Sequence, residues 1–135
     1  MTNPIGSESI LNTIKTMLGL ESDYTAFDTE ILNHINSVFT TLTQIGVGAT
    51  TGFYITGPTE TWLNFVTDVA TILSVKTYIY LKVKLLFDPP ASSFVLDALS
   101  RQASEIEWRL QVKTDVSTIV VEEVSHDGDS YSCWY

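Results

Sequence analysis

The chain is predicted to fold as a mainly all-α protein, a helical bundle of four to five helices with an extended, β-prone C-terminal tail. Three observations carry this. Apolar residues recur at helical spacing in separate windows, and residues that break helices fall between those windows. The chain is also long enough, at 135 residues and 44% apolar, to bury one core without disulfide or metal support. The expected division is a helical domain over residues 1–113 and a tail over residues 114–135.

In chain order, Ile10, Leu11, Ile14, Met17 and Leu18 fall on one helical stripe, with Ser7 or Ser9 as N-cap and Gly19 as the stop. Asp28 is placed to cap a second helix, with Glu30 in its first turn. Ile31, Leu32, Ile35, Val38, Phe39, Leu42 and Ile45 recur along that helix until Gly46 ends it. Residues 47–58 contain Gly48, Gly52 and Gly57 around Phe53, Tyr54 and Ile55, so they read as a loop with one short extended segment. A helix of one or two turns follows Thr59.

Residues 68–87 carry two signals. From Val75 the pattern alternates, with Ile79, Leu81, Val83 and Leu85 against Lys76, Tyr78, Tyr80, Lys82 and Lys84, as in a strand. The apolar content nevertheless runs for about twenty positions without a turn residue, too long for a usual strand and normal for a buried helix. Helix is therefore expected, stopped at Asp88, Pro89 and Pro90. Ser92 or Ser93 then caps a last helix in which Val95, Leu99, Ile106 and Leu110 keep helical spacing, ending near Lys113. Beyond it, Val116, Ile119, Val120, Val121 and Val124 form a β-prone run ahead of an aromatic end. The expected core is Ile14, Ile31, Ile35, Phe39, Leu42, Ile79, Val83, Leu86, Leu99 and Ile106.

Few chemistries have residues to work with. One cysteine, Cys133, excludes an internal disulfide, and no Cys/His set has zinc spacing. GVGATTG misses the dinucleotide-binding spacing and follows a helix, so it reads as a glycine turn. His126, Asp127 and Asp129 lack the further oxygen ligands of a calcium loop. His34, beside Asn33 and Asn36, reads as a structural histidine. Glu105 and Glu107, two apart on a helix, diverge. No catalytic, cofactor or metal residue is expected. No membrane role is expected either, because the most apolar stretch contains Lys76, Lys82 and Lys84. The N-terminus lacks signal-peptide character, which gives a cytoplasmic origin as the expectation.

The net charge of −9 argues against a generic nucleic-acid binder. Its distribution is more telling. Residues 1–75 hold seven acids and one base, residues 76–113 six bases and four acids, and residues 114–135 five acids and no base. Segregated charge of this kind suits contacts between different faces of identical subunits, with Lys82, Lys84, Arg101 and Arg109 as the candidate inter-subunit bases. In the tail, Ile119, Val121 and Val124 and the terminal Tyr131, Trp134 and Tyr135 are the candidate partner-binding residues, pairing along a partner's strand edge and anchoring in apolar pockets.

The runs ILNTIKTMLGLESDYTAFDTEILNHINSVFTTLTQIGVG (residues 10–48), VKTYIYLKVKLLFDPPASSFVLDAL (residues 75–99) and EIEWRL (residues 105–110) resemble the head-tail connector, or adaptor, proteins of long-tailed bacteriophages. The most specific parts are HINSVF followed by QIGVG, and TYIYLKVKLLFDPP ahead of a helix with EWRL near its end. The resemblance implies a helical bundle without catalytic residues and a virion protein at the head-tail junction. It further implies a homo-oligomeric ring of about twelve copies. That ring would dock beneath the portal protein and continue the DNA channel toward a stopper or tail-completion protein, with genomic DNA passing without specific binding. The C-terminal segment, residues 116–135, is implied to reach the portal. A soluble acidic inhibitor of DNA-mimic type is the alternative reading of the charge, and a small enzyme is a weaker one.

Overall fold

A computed structural model describes the backbone of residues 5–126 and the side chains of residues 5–114. Five helices follow one another: α1 (Ile10–Met17), α2 (Asp28–Gln44), α3 (Trp62–Phe65), α4 (Val69–Phe87) and α5 (Ser93–His126). No strand occurs among the described residues, so the mainly helical bundle read from the sequence is the fold. Residues 75–85 are helical.

α1 and α2 end in the same way. At the first stop Leu20 N–H reaches Lys15 C=O at 2.8 Å and Gly19 N–H reaches Thr16 C=O at 3.0 Å. At the second, Val47 N–H reaches Leu42 C=O at 2.9 Å and Gly46 N–H reaches Thr43 C=O at 3.1 Å. This is the Schellman pattern, and it needs the positive φ that Gly19 (90°) and Gly46 (94°) adopt without strain. At the N-termini, Ser9 caps α1 by accepting from Asn12 N–H, and Ser92 accepts from Val95 N–H at the start of α5. Asp28 does not cap α2. The N-cap is Phe27, without a side-chain bond, because the Asp28 carboxylate is turned to Lys15.

α4 is the central element: it packs against α2 and α5, and α1 touches both α2 and α4. Ile72, Val75, Tyr78, Ile79, Leu81 and Val83 are all buried, spread over rather more than half of its circumference. This accounts for the strand-like pattern, since a helix covered by two layers keeps only a narrow open side, here with exposed Leu73 on it, and gives a weak 3.6-residue period. Of the expected core, Ile14, Ile31, Ile35, Phe39, Leu42, Ile79 and Val83 are buried, while Leu99 and Ile106 are partly so. Leu86 is 57% exposed, a correction: it sits on the last turn of α4, beyond the cover of the neighbouring helices.

The long α2–α3 loop is tied down in two ways. Asn36 pairs with Ile55 backbone in both directions, donating to its C=O at 2.9 Å and accepting from its N–H at 2.8 Å. Phe39, Phe53 and Phe65 form a mutual aromatic cluster with centroids 4.8 to 5.2 Å apart. Thr61 and Asn64 form the capping box of α3, and buried Trp62 donates its indole N–H to Thr13.

The helix expected to stop near Lys113 continues as α5 to His126, so the run at residues 116–124 is helical and not the extended strand its composition suggested. Nothing between Pro90 and Gly128 breaks a helix, and β-branched residues disfavour one only slightly. Tyr131, Trp134 and Tyr135 lie outside the described residues, as do Asp127, Asp129 and Cys133.

Candidate interaction surfaces

A groove of about 470 Å³ lies where the Gly46–Val47–Gly48 turn, the N-terminus of α4 and the middle of α5 meet. Its charged residues are Asp68 and Lys113. Asp68 caps α4, accepting from the Thr71 hydroxyl at 2.6 Å, from the Thr71 N–H at 3.1 Å, and from Lys113 Nζ at 2.9 Å. Those bonds, the Thr71 hydroxyl first and the Lys113 ammonium next, hold its carboxyl at about 2. Both charges are engaged with each other. The arrangement fastens α4 to α5 and offers no free base or nucleophile, and no metal-binding group of His, Cys, Asp and Glu occurs among the described residues.

Lys15 was not foreseen as a functional position. It falls on the α1 stripe with Leu11, Ile14 and Leu18, and that placement was the available signal. Its side chain is 1% exposed, with Nζ 2.8 Å from Asp28 Oδ1 and donating to the Ser22 C=O at 3.0 Å. One buried ammonium thus grips the link between α1 and α2 near its middle and at its end. A second internal tie is Tyr78, whose buried hydroxyl donates to Glu107 at 2.8 Å; burial first, and then the Glu107 carboxylate, push it well above the usual phenol range. Lys76 pairs with Glu8 at 2.7 Å and lies over the Trp62 ring.

The four candidate inter-subunit bases divide between two helices. Lys84 reaches Asp88 at 3.3 Å and Arg101 reaches Asp97 at 3.1 Å, while Arg109 pairs with Glu105, each four residues apart on the surface. Lys82, partly buried on α4, has no carboxylate partner among the described residues. Ile119, Val121 and Val124 lie on the last turns of α5, and their side chains are not described.

α5 has two different stripes. Leu99, Ala103, Ile106 and Leu110, spaced four, three and four apart, lie against the body. On the opposite side Phe94, Ala98, Arg101, Glu105, Trp108 and Val112 recur at four, three, four, three and four, with Phe94 78% and Trp108 64% exposed. Sequence reading missed this second stripe, although its spacing was there to be counted.

A helical body whose grooves are open among the described residues, whose basic side chains except Lys82 are paired, and whose last helix is two-faced defines a protein that presents surfaces to other macromolecules. Residues 10–117 match the family model of the phage connector proteins, and the chain belongs to that family. No curated protein and no solved structure matches it. Membership gives the chain a structural head-tail connector role, as a virion component working among portal-associated partners. No described helix is long and apolar enough to cross a membrane.

Proposed function

We infer that the protein assembles as a homo-oligomeric ring of about twelve copies, closed by contacts between unlike faces. The ring docks beneath the portal and continues the DNA channel toward a stopper or tail-completion protein. The observation that carries this reading is α5: its 34 residues span about 51 Å, and among the described residues Leu99, Ala103, Ile106 and Leu110 lie on the body while Phe94, Val95 and Leu96 are exposed. A helix of that reach, with exposed aromatics on its far side, is suited to a neighbour. Lys82, Lys84, Arg101 and Arg109 serve the contacts between copies. The C-terminal segment, with Ile119, Val121 and Val124 on α5 and Tyr131, Trp134 and Tyr135 beyond it, reaches the portal. The acidic balance lets DNA pass without capture, since few phosphate-neutralising groups are free.

The test is native mass spectrometry of the chain alone and with portal. A closed ring that adds to portal, and a chain ending at Thr114 that folds but no longer adds, are the expected results. A parent chain that stays monomeric or dimeric in both settings would favour the acidic inhibitor reading.

A further inference from the structure

Within the link between α1 and α2, residues 21–27 are all exposed and include Glu21, Asp23, Tyr24 and Phe27. Such a segment would ordinarily be held by little. Here it is built. Lys15, almost fully buried, donates to the Ser22 C=O inside the link and meets Asp28 just past its end. Tyr24 stacks edge-on to Phe27 at 5.9 Å and Phe27 to Phe87 of α4 at 5.3 Å. Burying an ammonium is costly unless its bonds are good, and these bonds serve mainly to fix a surface loop. Tyr24 and Phe27 remain 47% and 40% exposed, so the loop is a preorganised acidic knob with aromatic flanks.

The outer stripe of α5 has the complementary character. Trp108 stands exposed beside Arg109, with Arg101 two turns earlier and Phe94 at the far end. The Asp97–Arg101 and Glu105–Arg109 pairs are more than half exposed, so their guanidiniums exchange partners at little cost. Charge agrees: residues 1–75 are acidic in excess and residues 76–113 basic in excess. The knob joins α1 to α2 and the stripe lies on α5, and α4 packs against both α2 and α5, so the two surfaces sit on different elements of one molecule.

We propose that the α1–α2 knob of one copy seats on the outer stripe of α5 of a second copy, Glu21 and Asp23 meeting Arg101 and Arg109, and Tyr24 packing beside Trp108. This rests on the ring reading and names its contact. Because donor and acceptor surfaces differ, each copy uses both, and the contact propagates until it closes.

The test uses two charge-reversed full-length chains, Glu21→Lys with Asp23→Lys, and Arg101→Glu with Arg109→Glu, with circular dichroism as the check that each keeps its fold. Each alone should lose self-association by roughly 100-fold or more, because like charges then face one another. An equal mixture should restore it, as every reversed knob finds a reversed stripe, and native mass spectrometry should show both chains in one assembly. Trp108→Ser, which introduces no charge, should weaken association in the same direction. Variants that assemble like the parent, or a mixture that restores nothing, would overturn the assignment while leaving the ring intact. A parent that never self-associates would overturn the ring reading and this contact together.

Discussion

The first four helices and the fifth solve burial differently. α1, α2 and α4 enclose one another, and Ile10, Ile14, Ile31, Ile35, Phe39, Leu42, Ile72, Val75 and Ile79 are all sealed from solvent. α5 seals only Ala103 and Leu110 among its described residues, and its first two turns stand clear of the body. At roughly 25 cal/mol per Å² of apolar surface removed from water, the first region carries the stability of the molecule. The second has apolar surface left over for a partner.

The sharpest way to break that contrast is in the aromatic cluster. Phe39→Ala removes the ring that both Phe53 and Phe65 pack on, and should cost about 3 to 5 kcal/mol, read as a lowered urea midpoint. Lys15→Met comes next. It leaves Asp28 without its polar contact, but that side chain is 25% exposed and water relieves part of the penalty, so about 2 to 3 kcal/mol is expected from the same measurement. Asn36→Ala frees both the N–H and the C=O of Ile55 and should cost about 1 to 2 kcal/mol, with faster amide exchange across residues 53–57.

A pH dependence tests the tie between the two regions. Asp68 has its carboxyl depressed by Thr71 and Lys113, so its contribution is present above the ordinary carboxylate value near 3.8 and is lost as pH falls toward about 2. Asp68→Asn should lower the stability plateau above that range and flatten the acid limb, leaving the slope near neutral pH unchanged. The smallest effect belongs to α5: Phe94→Ser should change the unfolding free energy of the isolated subunit by no more than about 0.5 kcal/mol, since its ring is mostly in water. A large loss there would mean that the outer stripe serves the subunit itself.

The same contrast explains what could be read in advance. α1 and α2 each have one wet side, so their periods and glycine stops were legible. α4 has two covered sides, and its alternation of Ile and Val with Lys and Tyr imitated a strand until length decided the matter. The end of α5 was misread because composition changes at Thr114 while no breaker appears, and continuity outweighs a weak β preference. The charge segregation was visible, but single-chain arithmetic cannot show that Arg101, Arg109 and Lys84 already hold carboxylates four residues away. Lys15 could not be anticipated as a clamp, because Ser22 lies in a link that carries no periodic signal and Asp28 reads as the cap of its own helix.

Gly46 ends α2, and a Cβ placed there would stand 2.8 Å from the Thr114 methyl group, so the turn and α5 touch at one point. From Thr114 the helix runs another twelve residues, about 18 Å, to His126. A side chain at residue 46 would have to push that helix away from the turn, so the closeness of the two elements depends on the absence of a single methyl group.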